Sequence, residues 1–171
     1  MRRVSRVAVI MVATTLVTLL VQRAVGRPAG APPPTAATGG AVTAVKMVRQ
    51  AGANGTSSTS FMPLPGASTN VTVPAGTKAY ILARFTGESH CDVTLYCLVL
   101  ITINGVEGQP ASGSDLRFDT GGGQYRSLSV ERSRGKFNPG TYPVQVFFAI
   151  SGTGSFVVDD WHLTVERIKT S

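Results

Sequence analysis

The sequence predicts an all-β fold: an antiparallel, jelly-roll-like β-sandwich preceded by a signal peptide and a flexible spacer. Three observations carry that expectation. Beyond residue 40 the apolar residues recur with a period of two, Gly, Pro, Asn and Ser punctuate the gaps, and no window carries a capped helical stripe. Many short strands with regular turn signals belong to sandwiches and barrels.

Arg2, Arg3 and Arg6 precede the apolar run "VAVIMVATTLVTLLV" at 7–21. A positive segment, an apolar core and small residues beyond it make a secretory signal. The run falls short of the roughly 20 apolar residues of a transmembrane helix. Cleavage is expected after Gly26, with Ala24 and Gly26 at the small-residue positions; a cut after Ala31 and an uncleaved anchor are the alternatives. Residues 1–26 are thus read as signal peptide. The next segment, 27–40, "RPAGAPPPTAATGG", has almost nothing to bury and reads as an extended Pro/Ala/Gly-rich spacer. Residues 41–169 remain as the β-sandwich domain, long enough for a core of their own. The expected location is secreted or extracellular, with no stable membrane insertion after processing.

Export changes the charge argument. The whole chain is formally +7, but without Arg2, Arg3, Arg6 and Arg23 the 16 basic residues fall to 12 against 9 acidic ones, or +3. That balance is ordinary for a soluble domain and gives no dense basic face for nucleic acid.

Cys91 and Cys97 both lie in the exported part, where an even count points to a disulfide. A free or redox-active pair is the alternative. A metal site would need more than His90 and Asp92 nearby, and the spacing fits no zinc pattern.

The strands follow in order. "TNVTVPAG" is a short strand closed by a Pro-Ala-Gly turn. In "TKAYILARFTGES", Ala79, Ile81, Ala83 and Phe85 share one face. "YCLVLITINGVEG" runs to Asn104-Gly105, a tight-turn dipeptide. "QYRSLSVER", "GTYPVQVFFAI" and "SFVVDDWHLTVERI" complete the set, the last two read as a hairpin turning at "SGTG", 151–154. In the final strand strict alternation puts Val157, Asp159, Trp161, Leu163 and Val165 on the core face. Phe156, Val158, Asp160, His162, Thr164 and Glu166 take the other. Asp159 and Asp160 then project to opposite sides and cannot share a proton or a metal. Asp160 and His162 share a face without a nucleophile beside them.

Chemistry is sparse. With His90 and His162 as the only histidines, and no nucleophile elbow, zinc-protease helix, P-loop or dinucleotide fingerprint, no catalytic, cofactor-binding or metal residues are assigned. The loop "EGQPASGSDLRFDTGGG", 107–123, carries Asp115 and Asp119 but lacks the acidic density of a calcium loop. "RSLSVERSRGK" groups Arg126, Arg132, Arg134 and Lys136; contact with anionic polymers is one reading, a strand with a solvated turn the preferred one.

Strands 96–103 and 144–150 are apolar on both faces. One face fills the core, and the other must be covered or form an interface. Homo-oligomerisation through that second face is the expectation, against coverage by a loop or the N-terminal segment.

The stretches "VPAGTKAYILARFTGESHC", "CLVLITINGVE", "SLSVERSRGKFNPGTYPVQVFFAISG" and "VVDDWHLTVERI" resemble a group of secreted, functionally undescribed jelly-roll β-sandwich proteins of high-GC Gram-positive bacteria. The resemblance covers about residues 57–168 and implies that Cys91 and Cys97 flank a hairpin loop. More distantly, the layout is similar to the jelly rolls of the tumour-necrosis-factor and complement-head type, which implies non-catalytic binding and oligomers. The expected function is a non-enzymatic cell-surface or extracellular binding or adhesion module for a glycan or protein ligand. A self-assembling structural protein is the alternative, and a hydrolase with an unrecognised site the third.

Overall fold

A computed structural model describes residues 40–111 and 117–170. The expected signal peptide, the spacer up to residue 39 and Asp115 lie outside the described residues. Among the described residues, alternation of apolar and polar side chains resolves into nine strands: β1 (Val42–Gln50), β2 (Asn54–Thr56), β3 (Met62–Val73), β4 (Lys78–Val93), β5 (Tyr96–Ile103), β6 (Val106–Glu107), β7 (Tyr125–Phe137), β8 (Gly140–Ser151) and β9 (Gly154–Thr170). The described residues contain no helix.

The strands form two sheets, ordered β1-β9-β4-β7, with β2 also on β9, and β3-β8-β5-β6. All pairings are antiparallel and nested: β1 with β9, β3 with β8, β4 with β7, β5 with β6. A chain folded into one long hairpin and then rolled so that successive strands alternate between two sheets gives this order. It is the jelly-roll arrangement of an all-β sandwich. At the inner end of the roll, Asn104 and Gly105 both take positive φ (56° and 72°) and join Ile103 to Val106, as the dipeptide predicts.

The core lies between the sheets. β4 contributes Ile81, Ala83 and Phe85; β5 contributes Cys97, Val99, Ile101 and Ile103; β8 contributes Val144, Val146, Phe148 and Ile150. β9 supplies Phe156, Val158, Trp161, Leu163 and Val165. Phe85 lies 6.0 Å from Trp161 and 6.0 Å from Phe118 between ring centroids, and Phe118 continues to Phe156 at 6.2 Å.

Two parts of the sequence reading are corrected here, the connections at one end of the sheets and the last strand. Residues 151–154 do not turn a hairpin, because β8 and β9 belong to different sheets. They form an arch, and a second arch between β4 and β5 lies against it: Thr94 N donates to Thr153 O at 3.0 Å. Cys91 and Cys97 are disulfide-bonded, and their bridge spans this second arch, so it ties one sheet to the other instead of closing a hairpin. Replacing both cysteines with alanine is expected to cost about 2–2.5 kcal/mol, the chain-entropy value for a loop with five intervening residues. Urea unfolding measures it; a loss well below 1 kcal/mol would show that the arch holds the sheets together unaided.

The second correction concerns β9. Phe156 and Val158 are buried, on the same side as Trp161, Leu163 and Val165, so the strict alternation slips by one residue. Thr86 pairs with His162 and Glu88 with Asp159, which leaves Asp160 and Trp161 opposite the single residue Gly87. This is a β-bulge, with Asp160 at φ 43° supplying the left-handed residue that Asp tolerates. A Cβ on Gly87 would stand 2.9 Å from Trp161 Cβ, 3.2 Å from Val158 Cγ1 and 3.3 Å from Asp159 O. Gly87→Ala is therefore expected to lose about 1–3 kcal/mol in thermal or urea unfolding, the usual range for overpacking. Stability within 0.5 kcal/mol of the parent would mean that the bulge has room to spare.

Both edges of the β1-β9-β4-β7 sheet carry inward-pointing charge, a known device against edge pairing. On β1, Lys46 sits opposite the buried Val165. On β7, Arg126, Arg132 and Arg134 share the inward side with Leu128 and Val130. Arg134 Nη1 donates to Ile103 O at 2.9 Å, and Arg126 lies 3.6 Å from Asp119. Arg132 is only 4 % exposed; its Nη1 donates to Glu131 O at 2.7 Å, while Nε and Nη2 have no hydrogen-bond partner. Burial lowers its pKa, and the nearby Glu107 carboxylate works in the opposite direction. Replacing a poorly satisfied buried charge with an apolar side chain of similar length is commonly neutral or stabilising. Arg132→Met is expected to leave stability unchanged or raise it by about 1–2 kcal/mol; a loss above 1 kcal/mol in urea unfolding would show that the guanidinium is better paired than its hydrogen bonds suggest.

Candidate functional site

The bulge shapes a site as well as the core. On the solvent-facing edge of β9, β1 pairs down to Gln50 opposite Trp161, and β2 resumes with Asn54 opposite Val158. Residues 51–53 cross the gap opposite Asp159 and Asp160, so the edge is interrupted where β9 bulges. The interruption leaves an open groove of about 620 Å³, lined by Met47, Arg49, Gln50, Ala51, Asp160, Trp161 and His162. That volume lies within the usual range for small-molecule sites.

Each lining residue is placed by a local rule. Arg49 sits directly across from His162 in the β1–β9 register, so guanidinium and imidazole share one face. Arg49 and Asp160 are exposed and His162 is half-buried. Among the described residues, none of these three side chains is held by a hydrogen bond or an ion pair. Asp159 stands apart from them: its Oδ1 accepts the Asp160 backbone N–H at 2.9 Å and so braces the bulge. Gln50 Nε2 donates to Gly52 O at 3.1 Å, which fixes the loop beside the groove.

Trp161 adjoins the groove from the core side. It is 2 % exposed, its ring centroid lies 6.0 Å from that of Phe85, and its Nε1–H has no acceptor. The Cζ2 edge, on the nitrogen's side of the ring, faces Gly66 and Gln50: a Cβ on Gly66 would lie 3.7 Å from Cζ2 and 3.3 Å from Gln50 Oε1. An unsatisfied buried donor costs about 1–3 kcal/mol, a cost that the packing of this ring outweighs.

The other sequence candidates go elsewhere. Asp119 is 3 % exposed and accepts from Ser89 Oγ at 2.7 Å and from Gly121 N at 3.1 Å, a structural brace beside the disulfide. Among the described residues, no three His, Cys, Asp or Glu side chains cluster so as to hold a metal ion. His90 Nε2–H donates to Gly123 O at 3.1 Å, and its ring lies 4.9 Å from that of Tyr125 at a tilt of 41°, four positions along β4 from Thr86, the partner of His162. In the basic stretch 126–136 the three arginines share the inward side of β7, Lys136 is exposed, and Glu131 pairs with Arg84. The outer side of β5 and β8 keeps its apolar character, with Tyr96, Leu98, Leu100 and Phe147 half-buried, Arg117 lying 4.5 Å over the Tyr96 ring, and Leu95 56 % exposed.

Alternation along the final strand puts Asp160 and His162 on one face and goes no further. It misses Arg49, Gln50 and Met47, because "VTAVKMVRQ" does not alternate cleanly enough to signal a strand. The one available signal is the basic residue followed by Gln just before the Gly-Ala-Asn-Gly turn.

The arrangement presents groups that can hold a ligand: a cation, an imidazole and an amide as donors and a single carboxylate as the charged acceptor, around an open groove. None of the residues lining it is a hydroxyl or thiol nucleophile. No protein-family model matches this chain, and no curated protein is significantly similar to it.

Proposed function

We propose that the protein is an exported, non-enzymatic binding module of the cell surface or extracellular medium, whose ligand seats in the groove beside the β9 bulge. One observation carries the reading: Arg49, Asp160 and His162, unengaged among the described residues, line one opening of small-molecule size. Polar groups held on strands around a preformed concavity are what a recognition site needs. The test is binding of the full-length protein to a glycan array and to cell-wall fractions, beside an Arg49→Ala/His162→Ala variant. Capture that the double substitution abolishes supports the reading. Capture that survives it removes the groove from the interaction, and absence of capture removes the reading.

A second reading rests on a separate observation. Leu98, Leu100 and Phe147 leave a half-exposed apolar surface on the outer side of the β3-β8-β5-β6 sheet, the kind of patch that marks self-association. Light scattering showing only monomer at high concentration would remove it.

A further inference from the structure

We propose that the groove takes a carboxylated sugar of the uronic-acid type, with the ligand carboxylate on Arg49 and ring hydroxyls on Asp160 and Gln50. The inference rests on the groove being the binding site and names the ligand class it selects.

The donor and acceptor inventory sets the ligand's chemistry. Arg49 offers a planar guanidinium with no competing ion pair among the described residues, and His162 a ring nitrogen across from it. Such a set prefers a ligand richer in acceptors than in donors, and a carboxylate meets a guanidinium through two parallel hydrogen bonds. Asp160 accepts only, so the same ligand must also carry hydroxyl donors. A monoanion with neighbouring hydroxyls satisfies both ends. A phosphate dianion does not, because the Asp160 carboxylate shares the groove with the single guanidinium and opposes a second negative charge. A nucleobase finds no stacking platform, since the one aromatic ring in the wall is 2 % exposed.

Trp161 also supplies the reporter. It is the only tryptophan of the chain, so its indole N–H gives a single assigned signal in a proton–nitrogen correlation spectrum. The matched probes are methyl β-glucuronide and methyl β-glucoside, which differ only in carrying a carboxylate or a hydroxymethyl group at C6. The expected result is that the glucuronide shifts the Trp161 indole signal and binds roughly 10-fold or more tightly than the glucoside, the usual worth of a charge-assisted hydrogen bond. Arg49→Ala is expected to collapse that ratio toward one with the rest of the spectrum unchanged, as the residue is exposed on an edge strand. Asp160→Asn is expected to weaken both sugars together, because it removes a hydroxyl acceptor common to the two. Equal binding of both sugars, or an unchanged ratio in Arg49→Ala, overturns the acidic-sugar assignment and leaves the groove as a neutral-glycan site. Failure of both sugars to move the indole signal overturns the assignment as well, and the array then decides independently whether the groove binds any glycan.

Discussion

Replacing Trp161 with alanine is expected to destabilise the protein by about 3–5 kcal/mol, the range for truncating a large buried aromatic. Two contributions add. The side chain is 2 % exposed, so nearly all of its apolar surface leaves water on folding, and truncation forfeits that transfer free energy. The remaining contribution is the cavity. Phe85 at 6.0 Å and the glycines at 66 and 87 line the space, and glycines have no side chain with which to fill it. A domain of this size has roughly 5–15 kcal/mol of net stability, so the variant approaches the unfolding threshold at room temperature. Urea unfolding followed by circular dichroism makes the measurement, since the fluorophore itself is lost. Trp161→Phe keeps an aromatic ring and loses the unpaired N–H; it is expected to cost less in stability than the alanine variant. A loss below 1 kcal/mol for the alanine variant would mean that the ring is not part of the core.

That pair of variants exposes how the bulge couples fold to site. Without the extra residue, strict alternation would carry either Phe156 and Val158 or Trp161 and Leu163 to the solvent side of β9. The bulge lets both sets enter one core, and it turns Asp160 outward beside His162. The edge pairing is interrupted at the same place, so β1 and β2 are separate strands and the groove lies along the end of β1 beside the bulge. One left-handed aspartate opposite one glycine thus serves packing and recognition together.

Much of this fold is legible from alternation, and the failures have identifiable causes. Ala79, Ile81, Ala83 and Phe85 face the core as their period of two requires, and Asn104-Gly105 makes its turn. The phase slip at Asp159–Asp160 is not legible, because it depends on Gly87, more than seventy residues earlier in the chain. Sheet membership at 151–154 fails for a different reason: a short Gly-rich link serves a hairpin and a sheet-to-sheet arch equally well. The inward arginines of β7 do carry a signal. Arg126, Arg132 and Arg134 share parity with Leu128 and Val130, and an alternation carried through the charges places them inside. The groove requires the β1–β9 register, which joins residues over a hundred positions apart and leaves no trace in either segment alone.

The arches give the second large effect. Gly154→Ala is expected to cost about 3–5 kcal/mol, more than any other glycine-to-alanine change in the connections. Gly154 has φ 131°, where an L side chain adds roughly 1–3 kcal/mol of backbone strain. Its Cβ would also lie 2.8 Å from Val93 Cα and closer still to the Asp92 carbonyl oxygen, and overpacking of that kind adds about 1–3 kcal/mol. Both obstacles are backbone, and neither can move freely. Val93 is the last partner of Gly154 in the β4–β9 ladder, and the arch behind it is tied by the Cys91–Cys97 bridge and by Thr94 to Thr153. Two neighbours calibrate the claim. Gly76, at φ 71° with open space where a Cβ would stand, should cost only the backbone strain, about 1 kcal/mol. Gly152, at φ 89°, would meet the Thr94 hydroxyl, which can move only by giving up the hydrogen bond it accepts from Thr153 N, and should fall between the two. The expected order of melting temperatures is Gly76→Ala above Gly152→Ala above Gly154→Ala. If Gly154→Ala melts with Gly76→Ala, the arches do not press on each other, and the disulfide alone must be holding that end of the sandwich closed.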